Sequence, residues 1–478
     1  MLLCLKRIPF LMNSIPVSYA EIRRDLLAGK RTCVELVQGY LDQITAFNPQ
    51  LNAFLSVYDQ ESLSRASEID LKIQHGNAGP LAGLVVGIKD LLCYGDHPSQ
   101  AGSQILNGFK STFSATAVQR LIDADAIIIG RQNCDEFGMG STNENSSFGP
   151  VLNFANQAHV AGGSSGGSAV AVQAGMCQVS LGTDTGGSIR MPAAFCGISG
   201  LKPTYGKVSR WGLIAYASSF DTIGPMAYHL ADLAIVLKTI EGKDDKDSTI
   251  ADDFSMTYVA KKRVAYIKEI VEHPSLQVEI RDAFFKRVES LKSAGYEVFP
   301  VDFAYLDQLL PTYYVLTTAE ASSNLARFDG VKFGHRTSDA KDLMELYKKT
   351  RDEAFGAEVK RRIMLGTFVL SADYYDAYYT KAQQVRRLIQ QRTIEILQDC
   401  DFIISPTTSS TAYKLGEKTL DPLQMYLGDL FTVQANLTGL PALSIPMGTD
   451  SAGLPMGFQI SGRAFDEQGL IDFALTIQ

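Results

Sequence analysis

The chain has 478 residues, of which 46% are apolar and 20% charged, with 40 Gly and 17 Pro; this is the profile of a folded globular protein and excludes a disordered or membrane-embedded chain. Its 44 basic residues are outnumbered by 52 acidic ones, a net charge of -8, so this chain alone has no electrostatic footprint for gripping nucleic acid, which would fall to a basic partner. At this length it forms either two or three domains or one large sheet with helical additions.

Residues Met1 to Met12 are apolar but broken by Lys6-Arg7 and Pro9, with no small-residue cleavage site, and do not read as a signal peptide. Residues 1–13 are expected to be an N-terminal extension, with Met12 a candidate start, and 14–478 a single domain. From Tyr19 to about Arg65 the spacing of Ile22, Leu26, Leu27 and then Val34, Leu36, Val37, Leu41, Ile44 predicts two amphipathic helices, with Thr32 as an N-cap. Strands are predicted at Leu84 to Ile88 and Ala126 to Ile129 with a helix between them near Ala117 to Asp123. A helix after Gly166 and a strand at Gln178 to Leu181 continue the alternation. The pattern predicts an α/β fold, a large mixed sheet covered by helices on both faces.

Lys243 to Thr249 is polar and turn-rich and reads as a surface loop, followed by a strand at Lys262 to Ile267. The stretch from about 270 to 400 is expected to be a helical cap insertion, with helices from about Leu276 to Gln398 and those at 307 to 398 forming the cap beside the sheet, before strands at Phe402 to Ser405 and Ala442 to Pro446. No apolar run reaches the roughly 20 residues a spanning helix needs, so no membrane association is expected. The seven cysteines, at 4, 33, 93, 134, 177, 196 and 400, form neither a CxxC pair nor a metal spacing with histidine. They are expected to be reduced packing residues of a cytoplasmic protein, without zinc or disulfides.

The densest glycine signals are Ala161-Gly-Gly-Ser-Ser-Gly-Gly-Ser168 and Leu181-Gly-Thr-Asp-Thr-Gly-Gly-Ser-Ile-Arg190. Neither has the Gly-Lys-Ser/Thr ending of a phosphate-binding P-loop. Gly162-Gly-Ser164-Ser-Gly166 satisfies the GxSxG nucleophile elbow, which demands a downstream histidine; His229, His273 and His335 are available, none in a telling context. A serine nucleophile without histidine needs another base, and a lysine serves if burial lowers its pKa. Lys89 ends a predicted strand, where α/β sheets gather their sites, although an isolated lysine there would by default simply reach solvent.

Three segments together decide between these readings: Gly87-Ile-Lys89-Asp90, Gly162 to Gly167, and Gly182 to Arg190. In order and spacing they strongly resemble the amidase signature family. The resemblance implies a Ser-Ser-Lys triad: Ser188 as acyl-enzyme nucleophile, Ser164 as proton relay after a cis peptide bond, and Lys89 as terminal base. It agrees with the glycines before Ser188, which allow the amides of Thr185, Gly186, Gly187 and Ser188 to converge on an oxyanion. Ser165 is expected to be a structural hydrogen-bonder, and Asp184 with Arg190 a pair that fixes loop shape. Met139, Gly140 and Ser141 resemble the family's pocket wall.

The second half narrows the resemblance to one branch, the A subunits of glutamyl-tRNA(Gln) amidotransferases. The stretches that carry it are Ala319 to Val331, Glu358 to Thr367 and Asp373 to Lys381. The resemblance implies a glutamine pocket of Tyr313, Arg362 and Asp429, with Tyr314 and Arg361 as adjacent alternatives; an Arg and an Asp suit the carboxylate and ammonium of the free amino acid. It further implies a heterotrimer with B and C subunits, in which ammonia from glutamine reaches the B subunit. There ATP and magnesium activate mischarged tRNA, which is held mainly by B; no cofactor is expected in this chain. The positions that depart from the family pattern are Ala161, where many relatives have proline, Met191, and the run Asn153 to Val160. The chain also ends, at Gln478, earlier than expected. The competing readings are a stand-alone amidase acting on another amide, which has no use for both Arg362 and Asp429, and a non-catalytic scaffold subunit.

Overall fold

The computed structural model describes residues 17–251, 260–417 and 422–477; the expected extension 1–13 and Cys4 lie outside them. The first helices are α1 (Tyr19–Leu27) and α2 (Cys33–Leu51). Both begin in capping boxes. Thr32 accepts from the Glu35 N–H while Glu35 reaches back to the Thr32 N–H, which satisfies two donors that a helix start otherwise leaves open. Then come β1 (Phe54–Val57), α3 (Asp59–Gln74), β2 (Val85–Lys89), α4 (Thr116–Asp123) and β3 (Ile127–Gln132). They lead to α5 (Gly166–Gln173), β4 (Val179–Asp184), α6 (Arg190–Cys196), β5 (Ser199–Lys202), β6 (Thr222–Ala227) and α7 (Leu230–Ile240). The next unit is β7 (Arg263–Ile267), α8 (Lys268–Val271), α9 (Val278–Ser293) and β8 (Glu297–Val301). Four helices follow, α10 (Leu306–Asn324), α11 (Leu343–Ala354), α12 (Ala357–Val369) and α13 (Lys381–Asp399). The chain closes with β9 (Phe402–Pro406), α14 (Pro422–Leu427), α15 (Val433–Thr438), β10 (Ala442–Thr449), β11 (Pro455–Ser461) and α16 (Glu467–Ile477).

Among the described residues eleven strands form one mixed sheet in the order β1-β3-β2-β4-β6-β5-β10-β11-β9-β7-β8. Successive side chains of a strand point to opposite faces, and two apolar cores form accordingly. Ile127 and Ile129 pack on one face with α2, α3 and α5, and Ile128 on the other with α4 and α7. Strands β3, β2 and β4 are mutually parallel, so their C-terminal ends open at one edge, and Lys89 and Asp184 end β2 and β4 there. Sites of α/β sheets gather at such edges.

The helical stretch expected from about residue 270 is interrupted by β8, which pairs in parallel with β7 in the register Arg263↔Glu297 to Ile267↔Val301. The helix α9 is therefore a crossover between two sheet strands, and the helices of the cap run from Leu306 to Asp399. As an edge strand β8 buries little, and its Glu297 and Pro300 blunt the apolar pattern that would have announced it. No described helix is long and apolar enough to cross a membrane.

Candidate active site

Lys89 is completely buried at the end of β2, and its Nζ lies 2.7 Å from Ser164 Oγ, 2.9 Å from Ser165 Oγ and 2.9 Å from Thr183 Oγ1. Burial pushes the lysine down to about 8, against the pull of Cys134 and the surrounding carboxylates. No carboxylate lies within ion-pair distance of it among the described residues, so its neutral form is accessible near neutral pH. The Gly163–Ser164 peptide is cis. Of the histidines required by the elbow alternative, His273 bonds Ser275 and His335 bonds Glu353, while Ser164 is served by the lysine.

Ser188 stands between β4 and α6. Its hydroxyl has no hydrogen-bond partner among the described residues, and the residue keeps 8% exposure amid a fully buried loop, as a nucleophile open to a substrate should. The Ser165 N–H donates to the Ser188 carbonyl at 3.2 Å, tying the two glycine loops together. Ser165 Oγ also accepts from the Thr183 N–H at 3.3 Å, which agrees with a structural role.

The loop before Ser188 is shaped by a buried hub. Arg190 donates to both oxygens of Asp184 at 3.0 Å each and to Thr432 O, Gln459 Oε1 and Asn436 Oδ1. Burial raises the Asp184 carboxyl, but the Arg190 guanidinium outweighs it and holds the group at about 2. The ionised Asp184 accepts from the Gly187 N–H at 2.8 Å and the Ile189 N–H at 3.2 Å. This corrects one expectation: the Gly187 amide is committed to Asp184 and is not a free oxyanion donor. The amides of Thr185, Gly186 and Ser188 carry no intramolecular bond among the described residues. Thr432 Oγ1 donates to the Gly186 carbonyl at 2.6 Å, and Thr185 Oγ1 to Asp221 at 2.7 Å, which fixes the loop from both sides.

The cap brings the expected pocket residues to this loop. A Cβ on Gly186 would overlap the Tyr313 phenol, so that ring lies directly over the oxyanion loop. Asp429 accepts from Ser141 Oγ at 2.7 Å and from the Tyr314 hydroxyl at 2.6 Å. Both adjacent tyrosines therefore face the site, one on the loop and one on the carboxylate. Burial pushes Asp429 up to about 6, with the bonds from Tyr314 and Ser141 pulling the other way. Arg362 is buried, donating to Glu358 at 2.8 Å and to the Tyr216 hydroxyl at 2.8 Å. Its guanidinium lies 5.3 Å from the centroid of Tyr314 and 5.5 Å from those of Tyr216 and Tyr426, a box of aromatic faces suited to a cation. The neighbouring Arg361 is 44% exposed, which assigns the inward role to Arg362.

Met139 and Gly140 continue the wall beside Ser141; Met139 is buried, and a side chain at 140 would collide with Asp135. Ala161 and Met191 pack in apolar clusters, and Asn153 bonds the Val160 and Phe195 carbonyls. Two surface cavities, of about 380 and 430 Å³, contain none of the triad residues. Sequence reasoning missed Thr183, Tyr216, Asp221, Glu358 and Tyr426. Thr183 stands inside the Gly182 to Arg190 motif and Glu358 four residues before Arg362, whereas Tyr216, Asp221 and Tyr426 bond Arg362, Thr185 and Glu358 across 146, 36 and 68 residues.

A buried lysine on paired serines beside a glycine loop defines an amidase site, and the chain belongs to the amidase family, whose model matches residues 35–471. Among its relatives, the glutamyl-tRNA(Gln) amidotransferase A subunit of Acidobacterium capsulatum is 49% identical over 462 residues, 95% of this chain and 97% of the relative. The protein of that name from Chlorobium luteolum is 47% identical over 96% of each chain. Among solved structures, the glutamyl-tRNA(Gln) amidotransferase A subunit of Thermotoga maritima superposes with a TM-score of 0.78 at 36% identity, covering 95% of this chain and 92% of its own. A peptide amidase from Stenotrophomonas maltophilia gives 0.82 at 28% identity, covering 98% and 97%.

Proposed function

We propose that the chain is the glutaminase component of a glutamyl-tRNA(Gln) amidotransferase, and that Ser188, Ser164 and Lys89 release ammonia from glutamine. The single observation that carries the reading is the pairing of a Lys89–Ser164 hydrogen bond of 2.7 Å with an Arg362–Asp429 pocket over the same loop. A simple amide substrate has no charges for that pocket to read, whereas glutamine presents a carboxylate to Arg362 and an ammonium to Asp429.

In the first half-reaction Ser188 Oγ attacks the side-chain amide carbon, its proton passing to Ser164 and that of Ser164 to neutral Lys89. The oxyanion meets the free amides of the 185–188 loop. Lys89 then returns the proton through Ser164 to the amide nitrogen, the C–N bond breaks, and ammonia leaves. Water attacks the ester with its proton following the same relay, and glutamate departs. Ammonia passes to a B subunit that uses ATP and magnesium to amidate Glu-tRNA(Gln), with a C subunit completing the heterotrimer in the cytoplasm. Identities of 46–49% to proteins of that name support this assignment, and the intact triad speaks against a scaffold that has lost catalysis.

The test is glutamate release from glutamine by the chain assembled with its B and C partners. Ser188→Ala should lower kcat roughly 10⁴-fold or more, as expected when a nucleophile that works as part of a unit is removed. Arg362→Ala should mainly raise KM. Cleavage of other amides with no glutamine hydrolysis by the wild-type complex would instead identify a stand-alone amidase.

A further inference from the structure

The turn from Asp135 to Ser141 faces two parts of the molecule at once. Towards the triad, the Asp135 N–H donates to the Ser164 carbonyl at 3.2 Å, and a Cβ on Gly138 would stand 3.6 Å from Ser164 Oγ. Towards the cap, the Phe137 ring lies 5.0 Å from Phe328 and 5.8 Å from Phe355. Phe137 sits in the left-handed region at φ 50, a conformation a side-chain-bearing residue adopts only when its surroundings enforce it. Beside it, Glu136 is 2% exposed; one carboxylate oxygen accepts from the Gly356 N–H at 2.8 Å and the other from the Ser103 hydroxyl. Gly356 is the N-cap of α12 and has no side chain to cap with. A Cβ at that position would overlap the Glu136 carboxylate, so the close approach requires glycine.

We propose that Glu136 is a positioning residue for the amino-acid clamp: by capping Gly356 it sets where the first turn of α12, and with it Glu358 and Arg362, stands relative to the triad. The inference rests on reading the pocket as a glutamine site. Glu358 lies in that first turn, and its carboxylate holds Arg362. Gly356 itself is exposed, so without Glu136 its N–H turns to water, and the tie that holds the start of α12 to the Asp135–Ser141 turn is lost. The charged group facing Glu136 is Lys360 on α12, itself paired with Asp352 at 2.9 Å. Burial pushes Glu136 up to about 7, against the bonds from Ser103 and Gly356; the carboxyl is held by hydrogen bonds and helix position and not by a buried ion pair.

The experiment measures amide hydrolysis by the assembled enzyme on glutamine and on 4-aminobutanamide, which is glutamine without its α-carboxylate. Glu136→Ala should raise KM for glutamine roughly tenfold with kcat within about twofold, while KM for 4-aminobutanamide stays at the wild-type value. Glu136→Gln keeps an oxygen that accepts from Gly356 and should restore KM for glutamine. If Glu136→Ala does not fold, Glu136→Asp, which withdraws the acceptor by one methylene, should show the same split. An unchanged KM for glutamine, equal losses on both substrates, or a Gln variant as poor as the Ala variant would overturn the inference alone. A wild-type enzyme that cleaves 4-aminobutanamide but not glutamine would overturn the glutaminase reading and this inference with it.

Discussion

Lys89 touches three hydroxyls, and its charge decides how it uses them. As an ammonium it donates to all three; as a neutral amine it has two N–H groups and one lone pair. Ser165 and Thr183 can then keep the two N–H groups while the lone pair faces the Ser164 proton. Catalysis needs the neutral form, and the lysine titrates at about 8, so kcat for glutamate release should rise with pH through about 8 and then level off. Thr183→Val removes an acceptor that favours the ammonium, so the rising limb should move to lower pH. A kcat that falls across that window, or a limb that moves upward in the variant, would contradict the assignment of the base. Asp429 has the opposite bearing: in the proposed glutamine pocket it would pair with the ammonium only when ionised, so KM should rise as pH falls through about 6. Lys89, Ser164 and Ser188 were singled out in the sequence by the resemblance of their three segments to the amidase signature family, and the structure brings Lys89 to within 2.7 Å of Ser164. Thr183 lies in the same motif as Ser188, but a strand threonine ordinarily reads as a β-former, and its part emerges only from its distance to Lys89.

The tyrosines and the arginine of the clamp sit on different helices, Tyr313 and Tyr314 on α10 and Arg362 on α12, so the crossing of these helices sets the pocket. At that crossing Gly366 has no room for a side chain: a Cβ would overlap the backbone carbonyl of Thr318, one turn beyond Tyr314 on α10. Gly366→Ala should therefore cost about 1–3 kcal/mol of stability, as overpacked contacts do, and raise KM for glutamine with less effect on kcat; denaturant unfolding and steady-state kinetics check both. A glycine inside a helix reads from sequence only as a weak helix former, and the reason for it is visible once the two helices are packed. The same limit governs the strands. The apolar runs of β2, β3 and β4 were legible, whereas β6 carries Gly224 and Pro225 in six residues and β5 has only four, Ser-Gly-Leu-Lys. Such segments become strands through pairing with neighbours distant in the chain, as Thr222 to Ala227 does with β4.

At the scale of the whole molecule, one sheet carries the proposed triad and a helical layer carries the proposed substrate clamp. The ends of β2 and β4 fix Lys89 and the nucleophile loop, while α10, α12 and the 429–432 turn bring the clamp down on that loop through Tyr313, Thr432 and Asp429. Although β1, β5, β6, β8 and β11 were not read from the sequence, the mixed α/β class was legible because apolar strands and helices alternate from β2 to β4. The junction of sheet and cap was not, because it consists of single contacts such as Ser141 with Asp429, 288 residues apart. The central claim is that Ser188 becomes acylated by the substrate this layer selects. The most direct measurement is to quench the assembled enzyme during turnover of glutamine and locate the acyl group by peptide mass spectrometry. A γ-glutamyl ester on Ser188, absent in Ser188→Ala, is the predicted result; glutamate release with no ester, or an ester on Ser164, would contradict it.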